Sequence, residues 1–176
     1  MESDIGFQAA LEEARKGASE GGVPIGACLV SVCPNRRYSS RVIQPCSLLS
    51  YLAIWQSQPN GKILGRGHNL RMQKGSPTIH AEIGALENAG RLPASAYQGA
   101  TMYTTLSPCD MCTGACILYK VKRVVLGENK TFVGGENYLK QRGIEVVNVS
   151  SAECEDLMKK FIKEHPEEWN EDIGEQ

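Results

Sequence analysis

Neither sign of charge is in excess in this sequence: 19 Lys and Arg stand against 20 Asp and Glu, for a formal net charge of -1. No basic stripe stands out, so a surface built to track phosphates is not indicated and a small neutral substrate fits better. Met1 to Lys16 carries four acidic residues and no continuous apolar run, which argues against a secretory signal or a membrane span. A disulfide framework is missing as well. The seven cysteines are an odd number, and Cys109 and Cys112 have the separation of metal ligands, so reduced thiols are expected. These absences point to a cytoplasmic setting, with the nucleus left open. At 176 residues the chain is read as one domain with one core, residues 1–176.

The apolar pattern alternates between two periods. Phe7, Leu11 and Ala14 fall at helical spacing among charged residues, predicting an amphipathic helix that stops near Gly17, after which Gly21-Gly22 turns the chain. Strands are predicted over 25–32, 62–69, 100–106, 122–127 and 144–149. Helices are predicted over 77–89, 109–119 and 136–141, and again after Ser151, where Cys154, Leu157, Met158, Phe161 and Ile162 form a core-facing stripe. Such alternation implies an α/β fold in which helices cover both faces of the sheet.

Residues 33–59 break this pattern. They contain Arg36, Arg37, Arg41 and three prolines but no Asp, Glu or Lys, and show no sustained period. The segment separates two strands that would otherwise form a hairpin, and Asn60-Gly61 at its end is a hairpin-turn signal. It reads as an insertion, whose loop-closure cost is only roughly 2 kcal/mol. Its apolar cluster, Leu48, Leu49, Tyr51, Leu52, Ile54 and Trp55, would be sticky on a free loop. One reading is translated intron; the other is an evolved partner-docking loop. Sequencing the mature transcript separates them.

His80-Ala-Glu82 is followed by Pro108-Cys109-Asp-Met-Cys112, with Cys109 placed 29 residues after His80. One His and two Cys are a zinc donor set that leaves the fourth tetrahedral position for water, and the Glu at this offset is the acid-base partner in zinc deaminases. Thiolate ligands favour helix N-termini. Ser76-Pro77 and Ser107-Pro108 are natural cap and first-turn pairs, expected to start the two helices that converge on the metal. A redox CxxC would leave His80 and Glu82 without a role. Cys116 lies four residues after Cys112; it could close the site as a fourth ligand but is better read as a core thiol, as are Cys28 and Cys154. Cys33 and Cys46 belong to the insertion. His68 reads as a strand histidine with a local hydrogen bond, and His165 as a surface residue near a helix end.

Four further segments carry a family resemblance: Gly22-Val-Pro-Ile-Gly26, Gly65-Arg-Gly-His-Asn69, Thr104-Thr-Leu-Ser-Pro-Cys-Asp-Met-Cys112 and Trp169-Asn-Glu-Asp-Ile-Gly-Glu175. Together they closely resemble fungal-type cytosine deaminase, of the cytidine and deoxycytidylate deaminase superfamily, over nearly the whole chain except the insertion. The resemblance implies a three-layer α/β/α sandwich around a five-stranded mixed sheet, one Zn2+ per chain, a homodimer, and hydrolysis of free cytosine to uracil and ammonia in pyrimidine salvage. By motif, His80, Cys109 and Cys112 would bind zinc, and Glu82 would shuttle protons as zinc-bound hydroxide attacks C4. Asn69 would hydrogen-bond the pyrimidine, the backbone at Ala81 and Ser107 would face its polar edge, and Asp172 would sit near the exocyclic amine. Ile25, Leu106, Phe132 and Trp169 would line or cap the pocket. Ala81 stands where the resemblance suggests Gly, a change that a backbone contact survives.

The zinc motif alone also suits tRNA adenosine, guanine or nucleoside deaminases, a zinc-bearing scaffold without activity, or a chain misfolded by its insertion. The acidic C-terminus, with Glu167, Glu168, Glu171, Asp172 and Glu175 around Trp169, favours a closed pocket for a free base over an RNA surface.

Overall fold

The computed structural model describes residues 2–31 and 61–175. The segment read as an insertion, with Cys33 and Cys46, lies outside the described residues. Five strands, β1 (Gly26–Val30), β2 (Ile63–His68), β3 (Thr101–Leu106), β4 (Arg123–Glu128) and β5 (Glu145–Asn148), form one sheet in the order β2-β1-β3-β4-β5. β1 runs antiparallel to both β2 and β3, whereas β3, β4 and β5 are parallel. The sheet is therefore mixed, as expected, and the two strands flanking the undescribed segment do pair as a hairpin would.

The helices among the described residues are α1 (Ile5–Ser19), α2 (Arg71–Lys74), α3 (Ala81–Ala89), α4 (Ala94–Tyr97), α5 (Asp110–Leu118), α6 (Glu136–Gln141), α7 (Ala152–Glu164) and α8 (Pro166–Ile173). None is long and apolar enough to cross a membrane. α1 starts where the Asp4 side chain accepts the Gly6 N–H at 2.9 Å and runs two residues beyond Gly17, to be followed by Gly21 at φ 78°. α2, α4 and α8 were not anticipated, because four to eight residues give too short a window for a periodic signal.

Strand alternation divides the core in two. Cys28 and Val30 of β1, with Tyr103 and Val125, pack beneath Phe7, Ala10 and Leu11 of α1. Ala27 and Leu29, with Met102, Leu106 and Val124, face the opposite side, against Ala81 and Ala85 of α3 and Cys116 of α5. Two glycines allow the helices to lie directly on the sheet. A Cβ on Gly26 would come within 2.1 Å of the Ala10 carbonyl oxygen, and one on Gly65 within 2.3 Å of that of Ala85. The result is the three-layer α/β/α sandwich, with the starts of α3 and α5 on one side of the sheet near the end of β3.

Candidate active site

Both helix starts differ from the sequence expectation. α3 begins at Ala81, with His80 as its N-cap at φ -70°, ψ 167°. α5 begins at Asp110, with Cys109 as its N-cap at φ -65°, ψ 174°. The Ser-Pro pairs therefore lie upstream of the caps rather than in them. The N-cap position is extended while its carbonyl already accepts a helical bond: Gly84 N–H donates to His80 O and Thr113 N–H to Cys109 O, each at 2.8 Å. The His80 side chain makes no capping bond to its helix, and Cys109 Sγ turns toward the other two donors, Cys112 and His80. Glu82 and Cys112 then fall on the second and third helical positions of α3 and α5 and turn into the same space.

The donor atoms of His80, Cys109 and Cys112 all lie within 4.8 Å of one another. Cys109 Sγ is 3.4 Å from His80 Nδ1, close to the ~3.6 Å edge of a tetrahedron with ordinary Zn–S and Zn–N distances. The set therefore fits zinc, with Nδ1 as the ligating nitrogen and Nε2 directed at Asp172 Oδ1, 3.9 Å away. Without a metal the thiols share their protons unequally. A hydrogen bond from Cys112, and beyond that one from His80, brings Cys109 down to about 4 against the opposing effect of burial, while the same bond and burial push Cys112 up. Burial, then the Cys109 charge, raises the Glu82 carboxyl above its ordinary value.

Cys116 is buried in the core beside α3 and is not one of the converging donors; burial raises its thiol. Cys28 and Cys154 are buried on the α1 side. His68 is engaged by two carboxylates, Glu13 on Nδ1 at 2.8 Å and Glu20 on Nε2 at 2.9 Å. His165 joins α7 to α8 and stacks on Phe161, with centroids 5.0 Å apart.

His80 and Cys109 open on a cleft of about 310 Å³, open solvent at its mouth included, with Cys112 buried behind them. His80, Glu82, Cys109, Ser107 and Asp172 supply its polar wall, and Ile25, Leu106, Phe132, Trp169 and Ile173 its apolar one. Phe132 and Trp169 meet edge to face, with centroids 6.0 Å apart. The loop bearing Phe132 is held at its start by Glu128, which accepts the Lys130 and Thr131 N–H groups at 2.6 and 3.1 Å. Its end is fixed by Gly134 N–H on Ser107 Oγ at 3.0 Å, and Ser107 Oγ–H itself donates to Glu136.

Asn69 and Ala81 are fully buried next to these residues. Asn69 Nδ2–H donates to Asp172 Oδ1 at 2.8 Å, and its Oδ1 accepts the Arg71 N–H. Arg71 donates to the same Asp172 oxygen at 3.1 Å. Arg71, Ile173 and Thr104, whose hydroxyl donates to Glu82 Oε1 at 3.1 Å, were missed by sequence reasoning. For Thr104 a signal existed, since it is in phase with Leu106 on β3.

An α/β/α sandwich that joins His-x-Glu at one helix start to Cys-x-x-Cys at another has the architecture of a zinc-dependent deaminase. Residues 52–128 match the cytidine and deoxycytidylate deaminase zinc-binding region. Across 97% of the chain and 95% of the relative, 50% of residues are identical to a cytosine deaminase of Candida albicans. A tRNA-specific adenosine deaminase of Bacillus subtilis is 33% identical over 72% of this chain and 62% of its own length. Among solved structures, a guanine deaminase from Nitrosomonas europaea shares the fold at a TM-score of 0.61, with 20% identity over 90% of this chain and 84% of that one. The chain belongs to the cytidine and deoxycytidylate deaminase family of zinc-dependent enzymes.

Proposed function

We propose that this protein hydrolyses free cytosine to uracil and ammonia, serving pyrimidine salvage in the cytoplasm. The observation that carries this reading is the joining of the His80, Cys109, Cys112 and Glu82 cluster to a small cavity capped by Phe132 and Trp169. With Phe132 and Trp169 lining the same cavity as His80 and Cys109, a single base ring suits the space better than a nucleoside or a polynucleotide. The identity with the Candida albicans cytosine deaminase supports the same substrate.

His80, Cys109 and Cys112 hold the zinc, which when bound brings the pKa of a coordinated water toward ~7. Glu82, buried and with its carboxyl above the ordinary value, takes a proton from the attacking water and passes it to ring N3, making C4 electrophilic. It then carries a second proton to the amino group as ammonia leaves. Asp172 accepts from the exocyclic amine. Asn69, fully buried beside Asp172, keeps an amide hydrogen and an Oδ1 lone pair with which it would meet the ring once substrate enters, and the backbone at Ala81 and Ser107 would face the polar edge. Ile25 and Leu106 enclose the ring opposite the aromatic cap.

The acidic residues of α8 support a free base over RNA: Glu167, Glu168 and Glu171 stand on the helix that supplies Trp169. Exposed apolar residues on α5 and near α6, Met111, Leu118, Tyr119, Val133 and Tyr138, offer a face for a homodimer. Purified protein with one zinc per chain should release uracil and ammonia from cytosine and sediment as a dimer. Turnover only of adenosine in tRNA would overturn the substrate reading, and a monomer at working concentration would overturn the dimer.

A further inference from the structure

The two adjacent threonines of β3 face opposite ways. Thr105 points to the α1 side, where its Oγ1 accepts the Gly26 N–H at 3.1 Å and so joins the ends of two paired strands. Thr104 points to the α3 side, in phase with Met102 and Leu106, and is fully buried. Its hydroxyl donates to Glu82 Oε1 at 3.1 Å. In the middle of a buried strand, valine would fill nearly the same space with higher β propensity and no polar atom to desolvate. Packing therefore gives no reason for a hydroxyl at this position. Its bond to Glu82 does.

We propose that Thr104 is a positioning residue for proton transfer: its hydroxyl fixes one carboxylate oxygen of Glu82, so that the other is presented to the cavity in a single orientation. The inference rests on the reading of Glu82 as the proton carrier. A glutamate has three side-chain torsions, and the terminal one is broad. Glu82 stands at the second position of α3, where the helix backbone sets its Cα but not its carboxylate plane. The backbone carries Thr104 in turn on the central strand of the sheet, paired on both sides with β1 and β4. A donor on that strand is among the most rigid supports the fold can supply. Both protons moved in the reaction pass through the carboxylate, so holding its plane benefits each transfer and leaves substrate binding largely alone.

Two substitutions separate positioning from packing. Thr104→Val removes the hydroxyl and keeps the volume; kcat should fall about tenfold, with KM for cytosine, bound zinc and Tm close to wild type, since the freed carboxylate can rotate to bring that oxygen to the cavity, losing its single orientation. Thr104→Ser keeps the hydroxyl and loses the methyl; Tm should fall while kcat recovers most of its wild-type value. A merely structural role gives the opposite pattern, with the serine variant less active and the valine variant unimpaired. Glu82→Gln measured alongside should lose at least about 10²-fold. Full activity of Thr104→Val beside an inactive Glu82→Gln would overturn the positioning role and leave the proton carrier standing. Full activity of Glu82→Gln would overturn the reading on which the inference rests.

Discussion

The Asp172 carboxylate accepts the Asn69 side-chain amide at 2.8 Å, joining positions 103 residues apart in the chain. Asn69 lies just past the end of β2, and Asp172 lies on α8, the helix that carries Trp169 over the cavity. Arg71 Nη1 and His80 Nε2 approach the same Oδ1 atom, at 3.1 and 3.9 Å. One carboxylate oxygen thus ties the cap of the cavity to the rim of the sheet and to a metal ligand, while the residue as a whole lines the cavity.

Arg71→Ala should weaken that tie. The Asp172 side chain is only 3% exposed, and removing the cation leaves a buried carboxylate held by one neutral amide. A loss of about 2 kcal/mol is expected, together with a raised KM as α8 seats less firmly. Arg71→Lys, which restores the charge, should recover part of both. Urea unfolding and steady-state kinetics check the pair; an Arg71→Ala protein with wild-type stability and KM would contradict it.

Gly26→Ala should destabilise by about 3 kcal/mol or prevent folding, because the new methyl meets the backbone of α1 at Ala10 and Ala14, 2.1 and 2.4 Å away. Backbone cannot rotate aside as a side chain can, so the helix must lift from the sheet. Thermal unfolding provides the check, and a change below about 0.5 kcal/mol would show that α1 does not seat this closely.

How far the sequence revealed these features depends on whether the determining interaction is local. The strands were legible as short β-rich runs, and Gly26–Val30, Thr101–Leu106 and Arg123–Glu128 are buried almost throughout because the sheet is covered on both faces. The metal donors were legible because each half of the motif sits within one helix turn. Helix starts were less so: Ser76-Pro77 has the chemistry of a cap, yet the helix begins only after His80, which is itself extended and whose side chain faces the thiols. Phase with Leu106 put Thr104 on the cavity side of β3, but its bond to Glu82, like that of Arg71 to Asp172, was not legible, since such pairings are made only when the sheet and α8 assemble. Asn69 and Asp172 were each named by motif, but the bond between them was not, because their positions meet only in the folded chain.

Alkali should unfold the protein earlier than its surface charge suggests. Burial pushes the Cys28 thiol up to about 12 and that of Cys154 up to about 11. A group whose folded pKa is raised contributes stability below its unfolded pKa and loses it as pH rises toward the folded value. Between pH ~9 and 11, each thiol therefore costs up to about 1.4 kcal/mol per pH unit. Unfolding midpoints measured from pH 8 to 10.5 should fall, and Cys28→Ala should flatten the slope. An unchanged slope would contradict the burial-driven shift.

Metal removal should expose one thiol selectively. Cys109 is partly exposed and, without metal, lowered to about 4, so it should alkylate near pH 6 in native, chelator-treated protein. Cys28, Cys116 and Cys154 should remain unmodified until the chain unfolds. Peptide mapping after brief iodoacetamide treatment distinguishes them. Equal labelling of Cys116, or protection of Cys109 in the metal-free protein, would contradict the assigned donor set.

The central claim, a zinc deaminase whose capped cavity admits a free pyrimidine base, is tested most directly by the ratio of kcat/KM for cytosine to that for cytidine in one zinc-quantified preparation. The predicted result is one zinc per chain, rapid conversion of cytosine, and at least about 10²-fold discrimination against the nucleoside. Equal or preferred turnover of cytidine by the zinc-loaded protein would contradict it.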